Sequence, residues 1–214
     1  HTGTIQWQST TDSAAAAWST ISGQTATTYT ASSLTATTWY RAIVTSGVCT
    51  SATSSVAKVT VNPATVTGTA SGDTVVCASG NSVTVRLSGN VGSIQWQSST
   101  NNVNFTSVSG ATGASYTASN LTTTTYYRAR VKSGVCDSLF SNVVTVTVNP
   151  IAVGGTVGGS TTVCYGTNTT ALTLSGHFGT IQWQSSTTST TAGFSNVGDS
   201  SRTTLIANNL TATT

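Results

Sequence analysis

Four cysteines, Cys49, Cys77, Cys136 and Cys164, stand at gaps of 28, 59 and 28 residues. Thiols at regular spacing can hold a metal ion or bond to one another. A structural zinc site needs four closely spaced ligands. The sequence has no CxxC, and its only histidines are His1 and His177. Disulfide chemistry remains, and in a small β-domain it implies an oxidising compartment. A bond between Cys77 and Cys136 is the expected one. It would close a loop of about 60 residues and stabilise by roughly 4 kcal/mol on the entropic account. Pairing across domain joints, Cys49 with Cys77 and Cys136 with Cys164, is the rival. Other pairings stay open as well, because Cys77 falls just before a strand and Cys136 just after one, at opposite ends of an ideal sandwich.

Catalysis has little to work with. A serine nucleophile needs a histidine base and an orienting acid. His1 and His177 are equivalent positions of an internal repeat, and near that place the one complete copy has Asn90. There is no Glu, and no two of the four Asp are near each other in sequence, so paired carboxylates for glycoside cleavage are missing. Clustered carboxylates for calcium at domain joints are missing too. No catalytic residue, cofactor or metal is expected, and the chain reads as a non-enzyme. The net charge of +3 comes from scattered Arg and Lys, which form no stripe for a nucleic-acid backbone. No apolar run has bilayer length. With no starting Met and no signal peptide, the chain reads as an internal piece of something longer.

The elements that must position these residues come in copies. Tyr40 recurs as Tyr127, the "SGVC" at Ser46 recurs at Ser133, and the "VTVNP" at Val59 recurs at Val146, each 87 residues on. Trp7, Trp96 and Trp183 head three nearly identical "IQWQS" strings, spaced 89 and then 87 residues apart. A two-residue difference therefore falls between the first Trp and the later Tyr. The expected domains are 1–63, the C-terminal part of one repeat; 64–150, a complete repeat; and 151–214, the N-terminal part of another.

Within a repeat the periodicity is two. Val83, Val85 and Leu87 face one way, as do Ile94 with Trp96, Tyr127 with Ala129 and Val131, and Val144 with Val146 and Val148. Thr84, Arg86, Gln95, Gln97, Arg128 and Arg130 face the other. Short strands punctuated by Gly and Asn predict an all-β fold of tandem immunoglobulin/fibronectin-III-like β-sandwich repeats of about 87 residues. Trp7, Trp96 and Trp183 are the expected core pins, joined by Tyr40 and Tyr127. Leu34 with Tyr40, and Leu121 with Tyr127, resemble the fibronectin-III tyrosine corner, in which the hydroxyl closes a loop. Trp18, Phe105 and Phe194 share another repeat position and are also expected in the core. Asn62-Pro63 and Asn149-Pro150 end the last strands and stiffen the joints.

The strings "TTVCYGTNTTALTLSG", "GTIQWQSS", "LTTTTYYRARVKSGVC" and "SNVVTVTVNP" resemble the tandem immunoglobulin-like repeats of giant Bacteroidota cell-surface proteins, gliding-motility adhesins among them. The resemblance covers the whole chain. It implies type IX export, an extracellular place on the bacterial cell surface, and work as the repetitive stalk or filament of an adhesin. It also implies O-glycosylation at sites of Asp, then Ser or Thr, then a small or aliphatic residue, with Ser13, Thr74 and Ser138 as acceptors. The expected partners are neighbouring repeats of the same chain, other copies bound laterally through poorly charged edge strands, and a surface or extracellular polysaccharide. No nucleic acid and no inserted membrane are expected. The alternative is a glycan-binding accessory module of a secreted polysaccharide-acting protein, with Trp39 and Tyr126 as its platform.

Overall fold

Alternation of Val with Thr and Ser makes strands, because β-branched side chains pack well on a pleated surface. The computed structural model describes residues 3–14, 16–198 and 201–212, so His1 lies outside the described residues. All the regular elements among them are strands. Residues 3–63 carry β1 (Thr4–Thr10), β2 (Ser19–Thr20), β3 (Thr38–Thr45), β4 (Ala52–Thr53) and β5 (Ala57–Val59). The middle repeat carries β6 (Thr69–Ser71), β7 (Thr74–Cys77), β8 (Ser82–Ser88), β9 (Ser93–Ser99) and β10 (Thr106–Ser107). It continues with β11 (Ser115–Ser119), β12 (Thr125–Lys132), β13 (Leu139–Phe140) and β14 (Val144–Asn149). Then come β15 (Thr156–Gly158), β16 (Thr169–Ser175), β17 (Gln184–Ser185), β18 (Ser195–Asn196) and β19 (Thr204–Asn208).

The middle repeat is a sandwich. One sheet runs β10-β9-β12-β14-β7, with β13 also on β12, and the other runs β11-β8-β6. The chain changes sheets between β6 and β7 at Gly72. Its φ is 125°, and a Cβ there would stand 2.9 Å from the Thr84 carbonyl oxygen, so only glycine suits. Past it, β7 pairs in parallel with β14, from Thr74 opposite Val146 to Cys77 opposite Asn149. Val85, Trp96, Ala129, Val131, Val144 and Val146 are at most 1 % exposed. Each large apolar side chain so buried stabilises by about 1.5–3 kcal/mol. This is the immunoglobulin/fibronectin-III-like all-β architecture that the period-two runs predict.

Residues 3–63 hold strand counterparts of β9, β10, β12, β13 and β14, but none of β6 to β8 or of β11. Their sheet runs β2-β1-β3-β4, with β5 on β3, and Trp7 opposes Ala42 as Trp96 opposes Ala129. Without a facing strand Trp7 is only half-buried, and Trp7, Tyr29, Leu34 and Tyr40 line a hollow of about 390 Å³. The third segment forms the sheet β15-β16-β19 and the pair β17-β18, and its Trp183 is buried.

By packing, the chain forms two compact units. One is His1–Asp73 with Thr84–Thr117 and Tyr126–Thr145; the other is Thr74–Val83 with Ala118–Thr125 and Val146–Thr214. The first contains the joint between the first and middle repeats. The second contains the start of the third repeat.

The two-residue difference among copies has a place in the fold. Each core indole Nε1 donates to a later backbone carbonyl: Trp7 to Ala26, Trp96 to Gly113 and Trp183 to Arg202, at separations of 19, 17 and 19 residues. The bond is the same, so the loop between is what shortens in the middle copy.

Candidate functional site

The first joint is fastened by side chains. Thr65 Oγ1 donates to the Asp137 carbonyl at 2.9 Å and accepts from the Ser133 amide at 3.1 Å. The Cys136 thiol donates to the Pro63 carbonyl at 3.6 Å. The Asn62 side chain lies where a Cβ on Gly134 would be. Gly134 has φ 52°, and the turn is closed by Cys136 N–H donating to the Ser133 carbonyl at 2.9 Å. The earlier "SGVC" makes the same turn, with Gly47 at φ 54° and Cys49 N–H on the Ser46 carbonyl at 3.0 Å. The motif is thus a tight turn with glycine in the left-handed region. In the middle repeat it grips the segment that enters that repeat.

A second fastening holds the turn before β12. Asn81 Nδ2 donates to the carbonyls of Cys77 at 2.8 Å and Leu121 at 2.7 Å, and Asn81 Oδ1 accepts from the Leu121 amide at 2.8 Å. Asn120 takes φ 55° and donates to the Asn81 carbonyl. Asn168 repeats all of this with Cys164, Leu210 and Asn209. The expected role of the tyrosine hydroxyl in closing this loop therefore falls to an asparagine. Tyr127 contributes its ring, which packs on Tyr116 at 5.8 Å between centroids.

The outer face of the larger sheet carries a cation–aromatic cluster. The Arg128 guanidinium lies 4.1 Å from the Phe105 ring centroid and 4.0 Å from that of Phe140, and its Nε donates to Gln97 Oε1 at 2.9 Å. Arg41 lies over Trp18 at 4.2 Å and donates to Gln8 in the same way. Trp18 and Phe105 are therefore not core residues, and Phe194 is 48 % exposed. All three sit beside two-residue strands, too short to carry an alternation, and the rings of Trp18 and Phe105 shield Arg instead. Gln97 does point outward, as expected, yet this cover leaves it buried.

The remaining expected residues are spread over the fold. Trp39 is half-buried, with Lys58 Nζ 5.4 Å above its ring, and Tyr126 is half-buried beside it in kind but in another repeat. Ser13 and Thr74 are exposed and Ser138 is half-buried. Asp12 caps the turn after β1 by accepting from the Ala14 and Ala16 amides, and Asp73 Oδ1 accepts from the Thr145 amide at 2.7 Å. Two of the Asp residues that mark the modification signal thus have structural work of their own. Cys77 and Cys136 are not bonded: Cys77 stands beside Asn149 while Cys136 faces Pro63, and Cys49 and Cys164 are also free thiols. Among the described residues no three His, Cys, Asp or Glu gather as a metal site would require.

No curated protein sequence matches the chain. Among solved structures, the crystal structure of chicken CNTN1 FN1-FN3 domains is similar at 12% identity and a TM-score of 0.31, over 99% of this chain and 80% of that one. A family described as "Domain of unknown function (DUF8696)" matches three times, at residues 1–63, 66–150 and 153–214, and the chain therefore belongs to that family.

Proposed function

We propose that the chain is a segment of a repetitive extracellular stalk or filament in a bacterial surface adhesin, structural rather than catalytic. The observation that carries this reading is the fastened joint. Thr65, Asn62 and Pro63 are tied to the Ser133–Asp137 turn within a few residues of chain, with no free linker between repeats. A flexible tether of catalytic or binding domains has no use for such ties; a stiff string of modules does. Threefold repetition of one domain supports the same reading. The resemblance of the repeats to giant surface proteins supports the extracellular placement. Small-angle scattering on the chain tests it. An elongated particle with a single well-defined distance distribution is expected, and a compact globule would overturn the reading.

A further inference from the structure

Each complete repeat offers two cysteines, and the structure puts them at different joints. Cys136 belongs to the joint before its own repeat, since its thiol reaches the Pro63 carbonyl. Cys77 belongs to the joint after its repeat. It pairs with Asn149, whose carbonyl accepts from the Ala78 amide at 2.9 Å, and Asn149 directly precedes Pro150. Asn62-Pro63 and Asn149-Pro150 are the same place one repeat apart. Repeat equivalence assigns two thiols to one Asn-Pro step. One is the Cys77-type thiol of the repeat before it; the other is the Cys136-type thiol of the repeat after it. A valine that solvent leaves uncovered accompanies each: Val75, on the same side of β7 as Cys77, is 62% exposed, and Val135, next to Cys136, is 88% exposed.

Resting on the tandem-array reading above, we infer that successive repeats are stapled by a disulfide between the Cys77-type thiol of one repeat and the Cys136-type thiol of the next. Each bond forms by loss of two protons and two electrons from two thiols. The electron pair reduces an incoming disulfide, of a small molecule or of a thiol oxidoreductase, to two thiols through a mixed disulfide. Neither Cys77 nor Cys136 finds its counterpart within these 214 residues, which fits the four free thiols. The same rule gives Cys49 to the joint before the first repeat and Cys164 to the joint after the third. The 28-residue pairs, Cys49 with Cys77 and Cys136 with Cys164, therefore serve different joints.

The test lengthens the chain by one repeat, inserting a second copy of residues 64–150 after Pro150. After exposure to oxidised glutathione, peptide mapping without reduction should find one bond, from Cys77 to the inserted counterpart of Cys136, and four free thiols. Cys77→Ser should abolish that bond and leave circular dichroism unchanged. A bond between Cys77 and Cys136 of one repeat, a 28-residue pair, or six free thiols would overturn the inference. The unlengthened chain gives a second reading: four free thiols are expected under the same oxidant, and any bond within it counts against the rule. Scattering is read separately, so an elongated particle without the staple would sink this inference and leave the stalk standing.

Discussion

At the scale of single residues, Tyr127 shows what burial does to a titratable group. Its ring is 2% exposed, and burial, with the Tyr116 hydroxyl adding a smaller push, raises its pKa to about 12. In the unfolded chain the phenol ionises near 10. Between these values the folded chain keeps a proton that the unfolded chain has lost, so stability must fall as pH rises there. The contribution is whole below about pH 10 and is lost as pH climbs through about 12. Thermal melts over that window should show a falling melting temperature. Tyr127→Phe keeps the ring and cannot ionise, so its decline should be shallower; equal slopes for the two proteins would refute the assignment. Trp96 and Tyr127 are legible from sequence because both recur on a period-two apolar face. The direction of the Tyr127 ionisation shift follows from that burial; the smaller push from Tyr116 is not legible, because Tyr116 comes to it from another strand.

At the scale of elements, strands β8, β12 and β14 are readable because one face of each is dry and the alternation records it, and β9 because its string recurs around each core Trp. Elements of two to four residues are not: β7, β10 and β13 carry too few residues for any period, and the sheet change at Gly72 depends on contacts made only after folding. Asn81 escapes for another reason. In a chain rich in Asn, Ser and Gly it looks like turn punctuation, although its recurrence as Asn168, each four residues after a cysteine, is a signal. Its side chain satisfies two carbonyls and one amide around the turn before β12. Asn81→Ala removes all three bonds at a buried position, and a cost of about 2–4 kcal/mol is expected in urea denaturation. Asn81→Asp keeps the acceptor for the Leu121 amide but sets a buried carboxylate against the Cys77 and Leu121 carbonyls, so it should cost at least as much. A cost below about 0.5 kcal/mol for the alanine variant, the size of an ordinary surface change, would show that the turn holds without the asparagine.

At the scale of the whole molecule, the question is what ties one repeat to the next. Proline at the joint restricts the backbone and was readable from sequence, but it does not tie one repeat to the next. Thr65 does, by giving one hydrogen bond to the Asp137 carbonyl and taking another from the Ser133 amide. Thr65→Val keeps the shape and deletes both. Asp137 is exposed, so its carbonyl can turn to water, while Ser133 is buried and its amide has no such recourse. The expected loss in stability is therefore about 1–3 kcal/mol, most of it from the stranded Ser133 amide. The larger effect should be on motion. NMR relaxation of the native chain should give the first and middle repeats a common tumbling time, and the valine variant should give them separate ones with both folds intact. One tumbling time in both proteins would mean that Asn62, Pro63 and Cys136 hold the joint without the hydroxyl. The position is not uniform along the chain, for Ala152 stands one repeat after Thr65. Joints that lack the hydroxyl should be looser, so stiffness along the array is set joint by joint, by one side chain at a time.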